Sequence, residues 1–241
     1  MSEASIFIFD EMVLKIEKTS RSLKNETQLL SWIDGKLPLV PKIIEATAQD
    51  GYNFLLMSKL SGDIACSDNN LYNIEDTIAA LAKGLKMLWA VNTKDCPCSS
   101  TVADKLAQVK FDIENNLVDM DNFDVETFTT EGFKDVYDLY NYLERNQPIE
   151  DLVFSHGDYY LPNIFIANRD ITGFIDWGNG GISDRWQDIA LCVRTLRSRH
   201  IRFANRGEAE YQKYKELLFK ELEIEPDEEK IHYFILLYEF F

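Results

Sequence analysis

The segment from Leu152 to Gly178 constrains the fold of this chain more than any other part of the sequence. It holds three short apolar runs typical of short strands, at residues 152–154, 164–166 and 171–175. Asp158 and Asn163 stand between the first two runs, and Asp176 directly follows the third. Because short strands that end in tight loops return the chain to the same place, we expect these three polar side chains to converge.

These residue types suit the transfer of a phosphoryl group from ATP. A carboxylate such as Asp158 can orient an acceptor hydroxyl and take its proton, while oxygens of Asn163 and Asp176 can hold Mg²⁺ against the β- and γ-phosphates. The order Asp, four residues, Asn and then Asp-x-Gly is that of protein kinases. Singly, each residue could be a turn former, but together they indicate a site. We expect His156 to be structural, since the aspartate handles the proton in this pattern.

The rest of the chain divides into a β-rich start and a helical remainder. Two hairpins are predicted before residue 59, from 5–9 with 12–16 and from 43–48 with 53–58, and a helix from Leu23 to Ile33 ends before Gly35. Helical spacing then recurs at 74–88, 106–117, 133–143, 186–196, 211–222 and 228–240. This predicts an α+β fold with two lobes, residues 1–59 and residues 60–241.

The charge balance bears on the partners. Against 25 Lys and Arg residues stand 41 Asp and Glu residues, which gives a formal net charge of -16. Such a field repels nucleic acid and anionic membranes and attracts cations, although it also simply keeps proteins soluble. We see no secretory signal or apolar run long enough for a membrane span, and scattered cysteines argue against a zinc site. We therefore expect a cytoplasmic protein.

Residues 152–197 resemble the bacterial aminoglycoside 3′-phosphotransferases of the kanamycin and neomycin kinase type. The resemblance extends over nearly the whole chain, through residues 26–38, 55–58, 133–135 and 235–241. It implies a protein-kinase-like fold, here with an amino-terminal lobe that is shorter at its start. We expect a monomer or a weak dimer. The resemblance further implies phosphorylation of an aminoglycoside hydroxyl, expected from the family name to be the 3′-OH, by ATP or GTP with Mg²⁺, which confers antibiotic resistance.

The resemblance also implies a set of nucleotide-binding residues. Lys15 matches the lysine that contacts the α- and β-phosphates, Glu26 its ion-pair partner, and Ser2 a donor to the β-phosphate. The remaining members are two hinge residues whose backbone meets adenine and two side chains that pack on the base, namely Met57, Ser58, Phe165 and Ile175. Without the resemblance, Lys15 and Glu26 could be solvated charges, and Phe165 and Ile175 could be core residues. Asp188 matches an aspartate that supports the catalytic loop.

The acceptor-binding residues follow from the resemblance less completely. Glu239 and the terminal carboxylate of Phe241 match the family, and an acidic loop that could close over a cationic substrate contains Asp121, Asp124 and Glu126; this loop could equally be a solvated charge run. Charged groups of the relatives are replaced here by Leu161, Asn179, Ser198 and Tyr238. The substrate range is therefore expected to be narrower or different. The alternatives are a kinase of another small sugar or amino alcohol, and a non-catalytic nucleotide-binding pseudokinase.

Overall fold

The computed structural model describes residues 4–18, 21–120, 123–197 and 207–241. Along the chain, strands and one helix come first, and helices together with two small sheets follow. The predicted α+β class is confirmed. No described helix is both long enough and apolar enough to cross a membrane.

The first part is a four-stranded antiparallel sheet in the order β1-β2-β4-β3. Its strands are β1 (Ser5–Ile8), β2 (Met12–Lys18), β3 (Ile43–Gln49) and β4 (Tyr52–Ser58). Both predicted hairpins are therefore confirmed. The second one turns at Asp50 and Gly51, whose positive φ angles of 52° and 80° suit a tight hairpin turn.

Helix α1 (Arg21–Ile33) joins β2 to β3 and lies against β3 and β4. Its buried apolar residues follow helical spacing, and they are Leu23, Leu29, Leu30 and Ile33. Trp32 continues this contact into the second part of the molecule, because its ring lies 5.3 Å from that of Phe154, which in turn stacks on Trp177 at 5.8 Å. These aromatic contacts fix α1 against the segment that carries Asp176.

The second part is mainly helical. Its helices are α2 (Asp68–Tyr72), α3 (Ile74–Trp89), α4 (Val102–Glu114), α5 (Val125–Thr129), α6 (Val136–Arg145), α7 (Arg185–Arg197), α8 (Glu208–Leu222) and α9 (Glu228–Tyr238). Two small antiparallel sheets accompany them, β5-β7-β8 and β6-β9, formed by β5 (Asp63–Ile64), β6 (Leu152–Ser155), β7 (Ile164–Ala167), β8 (Asp170–Phe174) and β9 (Gly181–Asp184). Helix α3 contacts β6, β8, α7 and α8, so it runs through the centre of this part.

Several sequence-based boundaries were wrong for identifiable reasons. The helix expected from Phe133 begins at Val136, because Asp135 accepts the amide hydrogen of Asp138 and caps it. Leu117 lies beyond α4 and is 60% exposed. Elements of two to five residues, β5, α2 and α5, carry too little periodicity to be recognised. Strand β9 was missed because its buried residues are Gly181, Ser183 and Asp184, none of which has an apolar side chain.

Candidate active site

The loop that follows β6 is held in place by Asp188 in the first turn of α7. The Asp188 carboxylate is fully buried, and its oxygens accept the amide hydrogens of His156 at 2.8 Å and Gly157 at 2.9 Å. Burial raises the pKa of Asp188, while its contacts with His156 and Gly157 oppose that shift. Gly157 has a φ of 81°, and a Cβ there would lie 2.0 Å from the carbonyl oxygen of Asn179. Only glycine therefore fits this turn.

His156 connects this loop to the end of β8. Its Nε2 lies 2.9 Å from the carbonyl oxygen of Ile175, and its Nδ1 accepts the amide hydrogen of Asp158 at 3.3 Å. Because a carbonyl can only accept, the proton of the neutral ring belongs on Nε2. Both ring nitrogens are thus used in backbone contacts, and the side chain is fully buried. This arrangement supports the structural interpretation of His156.

Asp158 and Asn163 lie together, as the sequence predicts. The Asn163 amide nitrogen donates to the Asp158 Oδ2 at 2.9 Å and to the Asp158 carbonyl oxygen at 3.1 Å. The Asn163 amide oxygen is then the atom that this side chain can offer to a cation. The other carboxylate oxygen of Asp158, Oδ1, accepts a hydrogen bond from the phenol of Tyr238 at 2.7 Å. Asp158 itself is half-buried.

Asp176 lies two residues after the end of β8 and has a left-handed φ of 64°. The amide of the preceding Ile175 donates to the carbonyl oxygen of Asn163 at 3.0 Å, so the two loops are joined beside the predicted metal ligands. One Asp176 oxygen, Oδ1, lies 2.8 Å from the Lys15 Nζ, and the side chain is 41% exposed. Oxygen ligands from Asn163 and Asp176 are of the kind that Mg²⁺ prefers, with waters and phosphates completing its shell.

Lys15 and Glu26 form a buried ion pair between β2 and α1. The Lys15 Nζ lies 2.8 Å from the Glu26 Oε2, and the side chains are 6% and 1% exposed. Burial alone would lower the pKa of Lys15, but the charges of Glu26 and Asp176 raise it above its usual value. Burial raises the pKa of Glu26, and the charge of Lys15 opposes this. The other Glu26 oxygen accepts the amide hydrogen of Trp177 at 3.3 Å.

The other predicted nucleotide contacts lie at the end of β4, on β7 and just after β8. Met57 and Ser58 end β4, but the Ser58 amide already donates to the Lys42 carbonyl oxygen at 2.9 Å. The Ser58 hydroxyl accepts the Lys42 amide hydrogen, also at 2.9 Å. The Ser58 amide is therefore already bonded within the protein, and the hinge contact with adenine stays a prediction. Phe165 on β7 and Ile175 after β8 are half-buried rather than core residues.

Ser2 lies outside the described residues, as does Asp121, and the side chain of Glu126 is also not described. The roles expected for these three residues therefore stay predictions. Asp124 is exposed at the start of α5. Phe241 is half-buried, and the Lys105 Nζ lies 4.3 Å from the centre of its ring.

Glu239, predicted to bind the acceptor, lies at the end of α9. Its carboxylate is buried, with Oε1 2.8 Å from the Arg194 Nη2 and Oε2 accepting the Asp124 amide hydrogen at 2.5 Å. Burial raises the pKa of Glu239, and the Arg194 charge opposes this shift. The carboxylate expected to meet an ammonium group of the substrate is thus neutralised by an arginine of the protein itself.

Sequence reasoning missed two residues of the site. Tyr238 was noted only as a difference from the relatives, and Arg194 was not singled out. Arg194 pairs with Glu239, and its guanidinium carbon lies 5.7 Å from the Tyr238 ring centre. No periodicity relates the end of one helix to a loop 80 residues away, so the sequence alone carries no signal for the Tyr238–Asp158 contact.

Comparison with known proteins identifies the family. Residues 6–221 match the model of the phosphotransferase enzyme family. An aminoglycoside 3′-phosphotransferase of Enterococcus faecalis is 38% identical over 227 residues, which cover 92% of this chain and 80% of that protein. One from Staphylococcus aureus is 37% identical over 92% of this chain and 81% of its own length.

The fold agrees with solved structures of the same class. The crystal structure of an aminoglycoside 3′-phosphotransferase of type VIII superposes with a TM-score of 0.81 at 23% identity, covering 100% of this chain and 95% of that one. A Streptomyces rimosus aminoglycoside phosphotransferase, solved with ADP and streptomycin, gives a TM-score of 0.75 at 20% identity over 95% of this chain and 86% of that one. The predicted protein-kinase-like fold is confirmed, and the chain belongs to the aminoglycoside 3′-phosphotransferases of the phosphotransferase enzyme family.

Proposed function

We propose that the protein transfers the γ-phosphoryl group of ATP to a hydroxyl of an aminoglycoside, the 3′-hydroxyl by the name of its relatives. The observation that carries this proposal is the convergence of Lys15, Asp158, Asn163 and Asp176, which come from strand β2 and two loops. These are the groups that phosphoryl transfer needs for positioning and for neutralising charge. The solved relative bound to ADP and streptomycin supports both substrates.

In this reaction the acceptor hydroxyl donates to Asp158, which takes the proton as the new oxygen–phosphorus bond forms. The bond between the γ-phosphorus and its bridging oxygen breaks, and ADP leaves. Lys15 meets the α- and β-phosphates, and Glu26 keeps it in place. Asn163 and Asp176 would hold Mg²⁺, which supplies charge neutralisation at the phosphates when bound.

The cationic substrate is supported by the net charge of -16 rather than by any single carboxylate, since Glu239 is paired with Arg194. Of the predicted acceptor-binding carboxylates that the structure describes, Asp124 is exposed and could meet an ammonium group. A kinase of another amino sugar or amino alcohol would need the same catalytic groups. These two functions differ only in the acceptor, so an assay with several candidate acceptors separates them.

A coupled assay of ADP release with Mg·ATP tests the proposal. The panel holds kanamycin, neomycin and several unrelated amino alcohols, with Asp158→Asn as the control. Turnover with an aminoglycoside that disappears in the variant is the expected result. Turnover only with an amino alcohol would move the function to that acceptor. Folded protein that binds no Mg·ATP and turns over nothing would instead indicate a pseudokinase.

A further inference from the structure

Tyr238, the last residue of α9, reaches the carboxylate that the proposed reaction uses. Its phenol oxygen donates to the Asp158 Oδ1 at 2.7 Å, while Asn163 donates to the Asp158 Oδ2 at 2.9 Å. Both carboxylate oxygens are therefore already bonded to donors of the protein. An acceptor hydroxyl that donates to Asp158 must therefore share an oxygen with one of these donors or replace that donor.

The two bonds are not equally replaceable. The Asn163 side chain also donates to the Asp158 carbonyl oxygen and belongs to the proposed metal ligands, so displacing it would disturb the site. The phenol of Tyr238 and the hydroxyl of a sugar are both neutral O–H donors, and a carboxylate oxygen accepts either. Replacement of the phenol therefore leaves Oδ1 with an equivalent donor, and its cost is the hydrogen bond that the phenol gives up.

The surroundings of Tyr238 keep its phenol in the donating form. Burial and the neighbouring Asp158 charge raise its pKa well above the usual range for a tyrosine. The side chain is half-buried, and the Arg194 guanidinium lies near its ring. Arg194 is itself paired with Glu239, the residue that follows. The ring is thus held from one side while its hydroxyl points at Asp158.

We infer that Tyr238 is a specificity-determining residue of the acceptor site, whose phenol occupies the Asp158 Oδ1 until an acceptor hydroxyl replaces it. The inference rests on the proposed function of Asp158. An acceptor binds productively only if its other contacts offset the loss of this bond. The phenol also keeps water from Oδ1, which limits hydrolysis of ATP when no acceptor is present.

Tyr238→Phe tests the inference, because it keeps the ring and removes only the donor. Tyr233→Phe is the matched control, since Tyr233 lies on the same helix and its phenol donates to the Leu143 carbonyl oxygen at 3.0 Å, away from Asp158. For Tyr238→Phe the acceptor KM should fall roughly tenfold, about the effect of one hydrogen bond to a charged group. The KM for ATP should stay unchanged, and acceptor-free ATP hydrolysis should rise. Tyr233→Phe should change none of these.

Two results would overturn the inference: equal acceptor KM and equal hydrolysis in the wild type and Tyr238→Phe, or a higher acceptor KM, which would mean that the phenol binds the acceptor. Failure of the proposed function has a different signature, a wild type that phosphorylates no aminoglycoside. Acceptor-free hydrolysis then still decides the role of Tyr238, with a rise supporting it and no rise overturning it. Tyr238→Leu, which lacks the donor and the ring, should show the same rise in hydrolysis.

Discussion

The Nζ of Lys15 lies 2.8 Å from the Oδ1 of Asp176, although the two residues are 161 positions apart in the chain. A cation from the first sheet therefore meets a carboxylate from the loop after β8. Glu26 completes the contact, because one of its oxygens binds Lys15 and the other accepts the Trp177 amide hydrogen. The strand, the helix and the loop are thus joined by a single lysine.

Lys15→Met should abolish ATP turnover and also destabilise the fold. The substitution leaves the Glu26 carboxylate buried without its cation, which costs about 3–5 kcal/mol in comparable pairs. Adding Glu26→Gln should restore part of the free energy of unfolding, since an amide needs no counter-charge, but none of the turnover. Urea unfolding and the ADP-release assay measure the two effects separately.

Lys83→Met is the matched control for that pair. Lys83 and Asp170 form an ion pair with side chains 57% and 52% exposed, so its loss should cost less than about 1 kcal/mol. A Lys15→Met protein as stable as Lys83→Met would contradict the view that the Lys15–Glu26 contact holds the two elements together.

Asp188→Asn should lower kcat by about 100-fold, the effect expected when a reacting group is displaced by about 1 Å. An asparagine can accept only one of the two amide hydrogens and presents an NH₂ group to the other, so the turn at His156 and Gly157 must shift. The acceptor KM should change much less. Asp135→Asn is the control, because that residue also accepts a backbone amide hydrogen but lies at the start of α6. Steady-state kinetics measures kcat for both variants. An equal loss of kcat in Asp188→Asn and Asp135→Asn would contradict the role of Asp188 in positioning the catalytic loop.

The catalytic segment could be read from the sequence because its information is local. Asp158 and Asn163 are separated by a fixed short spacing, and Asp176 follows the next hairpin, so strand and turn patterns were enough to predict their convergence. The role of Lys15 required the resemblance, since a lysine on a strand has many uses. Its contact with Asp176 depends on how the first sheet lies against the second part of the chain.

The contacts of Tyr238 and Glu239 could not be predicted from local sequence patterns. Both lie at the end of α9, where the sequence predicts only that helical spacing continues to residue 240. Whether Glu239 faces a substrate or an arginine depends on the position of α7, which carries Arg194. The resemblance gave Glu239 the role of its counterpart in relatives, whereas the structure shows its charge already compensated.

Tyr159 should make the protein less stable at alkaline pH. Its phenol is fully buried and donates to the Leu81 carbonyl oxygen at 2.7 Å, and burial raises its pKa well above the usual 10.0. Above about pH 10 the tyrosine of the unfolded chain releases its proton, while the folded protein retains it. Stability therefore falls as pH rises, by up to about 1.4 kcal/mol per pH unit.

Urea unfolding at a series of pH values compares the wild type with Tyr159→Phe. Below about pH 9 the two free energies should differ by a constant amount, about 1 kcal/mol for the lost hydrogen bond. Above pH 10 the wild type should lose stability faster. Tyr137→Phe, which removes a phenol from a side chain that is 57% exposed, should run parallel to the wild type. Parallel curves for Tyr159→Phe as well would contradict the prediction.

Glu239→Gln should reduce stability more than it affects the acceptor. The Glu239 carboxylate is occupied by Arg194 and by the Asp124 amide, so an acceptor ammonium group has no free oxygen to meet. Arg194→Met should cost about 2–4 kcal/mol, less than in a fully buried pair because the Arg194 side chain is 28% exposed. In the double variant Arg194→Met/Glu239→Gln, the two losses should not add, and a double-mutant cycle should give a coupling above about 1 kcal/mol. If Glu239→Gln instead raised the acceptor KM more than about tenfold at unchanged stability, the substrate-binding role expected from the resemblance would be restored, since tenfold corresponds to one net hydrogen bond to a charged group.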